Sequence, residues 1–143
     1  MKEPLRILFV CFGNICRSPM AVGIAKSLYG DRLHAESAGV GATPGTPPTS
    51  EAVLAVRTLF QADIAGHVAR SFEAVDPAAF DLVIGLDFGI YTRLKRRGDI
   101  AEGRLYGWDI EDPLGLGYEA YKEAARKIQA RLAGLAAARG FAP

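Results

Sequence analysis

The sequence predicts an α/β fold: a single-domain, doubly wound parallel sheet of about four strands, with helices on both faces. Three observations carry this expectation. Short runs of strand-forming residues alternate along the chain with stretches of helical periodicity. The first run, Ile7-Leu8-Phe9-Val10, is continuously apolar, as in a strand buried on both sides of a parallel sheet. The 143 residues, 50% of them apolar, suffice for one core and are too few for two ordinary domains, so residues 1–143 are expected to form one unit.

After the first strand, Cys11-Phe12-Gly13-Asn14-Ile15-Cys16-Arg17-Ser18 leads into Ser18-Pro19, Met20, Ala21, Ile24, Ala25 and Leu28, which read as an amphipathic helix. Its first turn accommodates the proline, so the octapeptide is a strand-to-helix loop. Leu33 to Ser37 is the second expected strand, and the Pro-, Gly- and Thr-rich stretch from Gly39 to Pro48 is a loop. Ser50 to Phe60 reads as a helix with apolar positions at Val53, Leu54, Val56 and Leu59. Asp81 to Leu86 is a buried strand, followed by a helix to about Arg97. Leu105 to Trp108 is the last strand, and Tyr118 to Ala138 a long helix rich in alanine and paired charges. Ligands of such sheets lie beyond the carboxyl ends of the strands, where the strand order reverses. Cys11 follows the first strand and Asp112 the last, so the two can meet there.

A net charge of +1 creates no field that would draw nucleic acid or a membrane surface. No apolar run is long enough to span a bilayer, and Met1-Lys2-Glu3-Pro4 leads at once into a strand, so a cytoplasmic protein is expected. Two cysteines make no disulfide framework, and with His34 and His67 as the only histidines no compact zinc spacing exists. Neither a metal nor an organic cofactor is expected. His34 has no evident partner and receives no function. The cluster Arg93, Lys95, Arg96, Arg97 reads as a solvated helix end, where cations are favourable, with recruitment of acidic partners as the weaker alternative.

The loop after the first strand carries the chemistry. Its amides and the following helix dipole can converge on an anion, and the same setting favours the thiolate, the nucleophilic form of a cysteine such as Cys11. Arg17 offers a planar fork for two phosphoryl oxygens. Gly13 and Asn14 are the residues best able to take positive φ in a loop that wraps around a tetrahedral anion. Ser18 can donate a hydroxyl hydrogen bond to the Cys11 sulfur.

CFGNICRSPMA resembles the signature of the low-molecular-weight protein tyrosine phosphatases, C-x5-R-S with a following proline. The likeness continues through Ser37-Ala38-Gly39, His67-Val68-Ala69-Arg70, Phe80 to Ile84 with Asp87, and Asp112-Pro113, in family order over nearly the whole chain. It implies a phosphomonoesterase acting through a cysteinyl-phosphate, with Cys11 as nucleophile, Arg17 as phosphate ligand and Asp112 as general acid and base. Charge alone leaves Asp109 and Glu111 as competitors, and the choice of Asp112 rests on the resemblance. Phe12, Gly13, Asn14, Ile15, Cys16 and Ser18 would line the phosphate site, and Asn14, Ser37 and His67 would form a network supporting the loop. A cysteine at position 16 can form a protective disulfide with the nucleophile in this family.

The resemblance implies a phosphotyrosine protein or small aryl phosphate as substrate and inorganic phosphate as product inhibitor. The chain departs from the family at the cleft walls. Asp112-Pro113 is followed by Leu114-Gly115, and Val40 to Ser50 contains no aromatic residue. Phe12 and Trp108 are the available substitutes, although Trp108 equally suits the core. Ile15 stands where arginine-phosphatase relatives tend to have threonine, which favours phosphotyrosine. Val22 and Gly89 to Tyr91 also differ from common family residues. Two alternatives are an arsenate reductase of related fold, disfavoured by the lack of cysteines beyond Cys16, and a phosphate-loop binding module with weak turnover.

Overall fold

Leu5–Cys11 forms the central strand β1 because its side chains are apolar on both faces: from Ile7 to Cys11 every residue is buried. In the computed structural model, which describes residues 3–143, β1 is followed by α1 (Arg17–Tyr29), β2 (Leu33–Gly39), α2 (Ser50–Phe60), β3 (Leu82–Gly85), α3 (Phe88–Arg97), β4 (Leu105–Gly107) and α4 (Tyr118–Ala138). Met1 and Lys2 of the N-terminal segment read above lie outside the described residues. The sheet is parallel, in the order β2-β1-β3-β4. The chain therefore winds to one side of β1 with β2 and to the other with β3. This reversal opens a crevice at the carboxyl ends of β1 and β3, where Cys11 stands.

The two faces of β1 seed two cores. Ile7 and Phe9 pack with α1, α2 and α4, while Leu8 and Val10 pack with Ile90 and Leu94 of α3 and with Phe72 and Phe80. Full burial of each such side chain stabilises the fold by about 1.5–3 kcal/mol.

The elements match the sequence reading closely, with informative exceptions. β2 extends through Gly39, because Ala38 and Gly39 continue to pair with Val10 and Cys11. The last strand stops one residue short of Trp108, whose N–H nevertheless donates to the Gly85 carbonyl (2.9 Å). The start of α1 is not amphipathic: Arg17 through Ala21 are all buried, because the loop, the sheet and α4 enclose this turn. In α2 the buried residues are Ala52, Ala55 and Val56, whereas Leu54 is 48% exposed. The small alanines set the packed face. His34 does find a partner, Glu36, with Nε2 and Oε2 2.6 Å apart. Glu36 also accepts from Arg70 (2.6 Å), and although burial opposes its ionisation, these two partners hold its carboxyl below the ordinary range.

Helix α3 approaches the sheet unusually closely. A Cβ on Gly85 would lie 2.8 Å from the Tyr91 backbone nitrogen, and one on Gly107 would lie 2.8 Å from the Tyr91 Cβ. Gly85→Ala must therefore push α3 outward, and backbone cannot yield as a side-chain tip can. The expected outcome is a loss of about 1–3 kcal/mol in urea-denaturation stability with an unchanged m-value.

Candidate active site

Cys11 ends β1 and Arg17 begins α1, so five residues must turn the chain from strand to helix. Asn14 makes the turn possible by adopting φ +57°. Gly13 was the other residue expected to take positive φ, and it does not. The left-handed conformation costs a residue with a Cβ roughly 1–2 kcal/mol, and asparagine tolerates it best. The cost is met by a network around the fully buried side chain. Asn14 Nδ2 donates to Ser18 Oγ (2.8 Å) and Ser37 Oγ (2.9 Å), and Oδ1 accepts from the Arg70 amide (2.9 Å). Since Oδ1 takes a backbone N–H, the amide orientation is determined.

His67 closes the network through Nε2, 2.7 Å from the Asn14 carbonyl oxygen. Burial pushes the His67 pKa below its ordinary value; the bond to Asn14 opposes this and the charge of Arg70 adds to it. The imidazole is thus neutral, with its Nε2–H donating. Ser37, His67 and Asn14 come together as expected.

Two donors face the Cys11 sulfur. The Asn14 amide donates to Sγ (3.3 Å), and Ser18 Oγ lies 2.8 Å away. Ser18 Oγ accepts from Asn14, and toward a Cys11 thiolate, which has no proton to give, the hydroxyl is the donor. Cys16 faces other groups. Burial pushes its thiol pKa up, as do the nearby charges of Asp112 and Cys11, against lowering bonds with Tyr121 and Thr49. Its Sγ is 3.4 Å from the Tyr121 hydroxyl, whose own pKa burial raises. Both cysteines are unbridged.

Arg17 is hydrogen-bonded through Nη1 and ion-paired more loosely through Nη2. Nη1 donates to Asp87 Oδ2 (2.7 Å) and to the Ile110 carbonyl (2.8 Å), and Nη2 lies 3.8 Å from Asp112 Oδ2. Asp87 itself caps α3 by accepting from the Ile90 amide (2.8 Å). Burial disfavours its charge, but the Ile90 and Gly89 amides and Arg17 outweigh this and hold its carboxyl below the ordinary range. Asp87 and Arg70 both belong to the sequence pattern. An aspartate directly before a helix signals the cap of α3, but its bond to Arg17, like the bond from the Arg70 backbone amide to Asn14, follows only from the tertiary structure.

Of the three neighbouring acids, only Asp112 faces the crevice. Its Oδ1 accepts from the Leu114 amide (3.1 Å), and buried Pro113 anchors the turn. Asp109 is bound by Arg131 (2.8 Å) and Lys127 (3.3 Å) of α4, and Glu111 lines a separate groove along that helix. Cys11, Phe12, Gly13, Ile15, Cys16, Arg17, Asp112 and Leu114 enclose a pocket of about 60 Å³. That is room for a few water molecules or one oxyanion head group. Phe12 is 54% exposed, and its ring lies over Gly41, where a Cβ would collide with it. Trp108 is buried against Phe9, with ring centroids 5.7 Å apart, and belongs to the core. The rim is therefore Phe12 and Leu114. A sulfur supplied with donors, beside a cation and a carboxyl 3.8 Å from it, suits displacement at a tetrahedral oxyanion.

Comparison with known proteins points the same way. A family model described as low molecular weight phosphotyrosine protein phosphatase matches residues 6–139. A low molecular weight protein-tyrosine-phosphatase of Streptomyces coelicolor is 34% identical over 93% of this chain and 92% of its own. A protein-arginine-phosphatase of Bacillus subtilis is 33% identical over 91% and 93%. Among solved structures, a low molecular weight protein tyrosine phosphatase from T. tengcongensis matches with a TM-score of 0.83 at 35% identity, covering 92% of this chain and 97% of that one.

The neutral state of His67 makes loop stability pH-dependent. Because its folded pKa is depressed, the unfolded chain takes up the proton first. The contribution is full above the ordinary value of 6.5 and is lost as pH falls toward the folded value. Urea midpoints should therefore drop from about pH 7.5 to about pH 5.5, and His67→Gln should flatten that part of the slope.

Proposed function

Because the chain belongs to the low molecular weight phosphotyrosine protein phosphatase family, we propose that residues 1–143 act as one catalytic domain that hydrolyses phosphotyrosine in cytoplasmic proteins. The observation that supports this best is the convergence of Cys11 and Arg17, from the two ends of one loop, with Asp112, from the segment after β4, on one oxyanion-sized pocket. Small aryl phosphates would enter the same pocket, and inorganic phosphate would occupy it as product.

In the first step the Cys11 thiolate attacks phosphorus, an S–P bond forms and the P–O bond to the phenol breaks. Asp112 gives its proton to the departing oxygen. Arg17, steadied by Asp87 and the Ile110 carbonyl, binds the equatorial oxygens as their charge redistributes. In the second step the Asp112 carboxylate takes a proton from water, whose oxygen attacks phosphorus. The S–P bond then breaks, and the returning thiolate is met by the Ser18 hydroxyl and the Asn14 amide. Ser37 and His67 support this loop by holding Asn14. No step requires a metal or an organic cofactor. Cys16, kept protonated by its surroundings, cannot replace Cys11 as nucleophile.

Relatives include a protein-arginine-phosphatase, so the leaving group needs its own argument. Half-buried Ile15 on the pocket wall and Phe12 at its rim offer a flat apolar slot suited to an aryl ring.

Hydrolysis of p-nitrophenyl phosphate by the reduced, chelator-treated protein tests the reading. Cys11→Ser should abolish turnover, and Asp112→Asn should lower kcat by about 10²–10⁴. Millimolar-range phosphate should inhibit competitively. Ser37→Ala should reduce turnover more than it reduces the urea midpoint. Activity that survives in Cys11→Ser would rule the mechanism out.

A further inference from the structure

We propose that the outer face of α3 is a docking groove for acidic residues that flank the phosphotyrosine of a protein substrate. This rests on the phosphatase reading above. Phe88, Thr92 and Arg96 stand at i, i+4 and i+8, with Gly89 and Arg93 beside them, so all five share one face of the helix. They line an open groove of about 770 Å³, and all five are exposed, Phe88 by 61%. The opposite face, through Ile90 and Leu94, is the buried one.

The groove begins at the catalytic crevice. Phe88 directly follows Asp87, whose carboxylate holds the Arg17 guanidinium, so the stripe runs outward from the Arg17 side of the pocket. An extended peptide whose phosphotyrosine fills the pocket can reach Arg93 and Arg96 within a few residues at roughly 3.3 Å each. No acidic residue lines the groove. Among the described residues Arg93 and Arg96 take part in none of the ion pairs, whereas neighbouring Arg97 is occupied by Glu73 and Asp99, and Lys95 sits over the Tyr91 ring. The basic cluster thus divides into Arg97 and Lys95, which have partners within the chain, and Arg93 and Arg96, which take part in none of the ion pairs. A narrow pocket with few walls offers little grip on peptide sequence, and the exposed Phe88 ring and the two cations farther along the same groove supply the missing contact area. The chemistry that complements it is carboxylate.

Two synthetic phosphotyrosine peptides of equal length, one with flanking glutamates and one with glutamines, test this against p-nitrophenyl phosphate as control. The wild type should show about a fivefold higher kcat/KM on the acidic peptide at low ionic strength, carried by KM and shrinking with salt. In R93A/R96A the preference should vanish while p-nitrophenyl phosphate turnover is unchanged, and R93E/R96E should invert it. Equal rates on the two peptides in the wild type, or a preference that persists in both variants, would overturn the docking site and leave the catalytic reading standing. Loss of p-nitrophenyl phosphate turnover in the wild type would instead overturn the catalytic reading. Should R93A/R96A dissolve a dimer in sedimentation, a second copy occupies the groove and the assignment is wrong.

Discussion

Asn14 is a buried asparagine in the left-handed backbone region, and most of the crevice is arranged around satisfying it. Ser18 comes from α1, Ser37 from β2, and His67 and Arg70 from the segment that runs beside the end of β2. Four hydrogen bonds at about 1 kcal/mol each outweigh the roughly 1–2 kcal/mol of the backbone conformation. Losing one partner would leave a buried polar group stranded, at about 1–3 kcal/mol. The loop is thus held in place by protein groups alone, which is what preorganised electrostatic stabilisation requires. The same network includes Ser18, which faces the Cys11 sulfur, so the support of the loop and the setting of its thiol are one device.

The second dependence runs through Arg17. A guanidinium with 4% of its side chain exposed would be costly alone, and Asp87 and the Ile110 carbonyl compensate it. Asp87 can reach it because it caps α3, and α3 lies low on the sheet because Gly85 and Gly107 present no Cβ to Tyr91. Two glycines in the sheet thereby set the position of a carboxylate one turn away. That carboxylate holds Nη1 of the arginine, while Nη2 lies 3.8 Å from Asp112 Oδ2.

Electrostatics also separates residues that look alike in sequence. Cys11 and Cys16 lie in the same loop and both are buried, yet Cys11 lines the pocket with a backbone amide and the Ser18 hydroxyl at its sulfur, whereas the Cys16 sulfur is turned to the hydroxyls of Tyr121 and Thr49. Asp109, Glu111 and Asp112 lie within four residues, yet Asp109 is neutralised by α4 and only Asp112 approaches Arg17. Arg93, Lys95, Arg96 and Arg97 divide in the same manner into cations with partners within the chain and cations that line the open groove along α3.

Local chemistry made much of this legible in the chain. The continuous apolar run of β1, the helix-compatible Ser18-Pro19 and the alternation of strands and helices are properties of short segments, and they determined the fold class and the bounds of α2 and α4. The order Cys11, Asn14, Arg17, Ser18 likewise carried the anion-binding loop. What the sequence could not determine was every choice made by a distant partner. It could not show that Asn14 rather than Gly13 takes positive φ, that Leu54 faces solvent while Ala52 and Ala55 pack, or that Trp108 belongs to the core. Nor could it reveal Asp87 and Arg70 as the supports of Arg17 and Asn14. Periodicity and propensity act within one element, whereas burial and charge pairing are settled only when β1, β2, β3 and their helices meet around a common crevice.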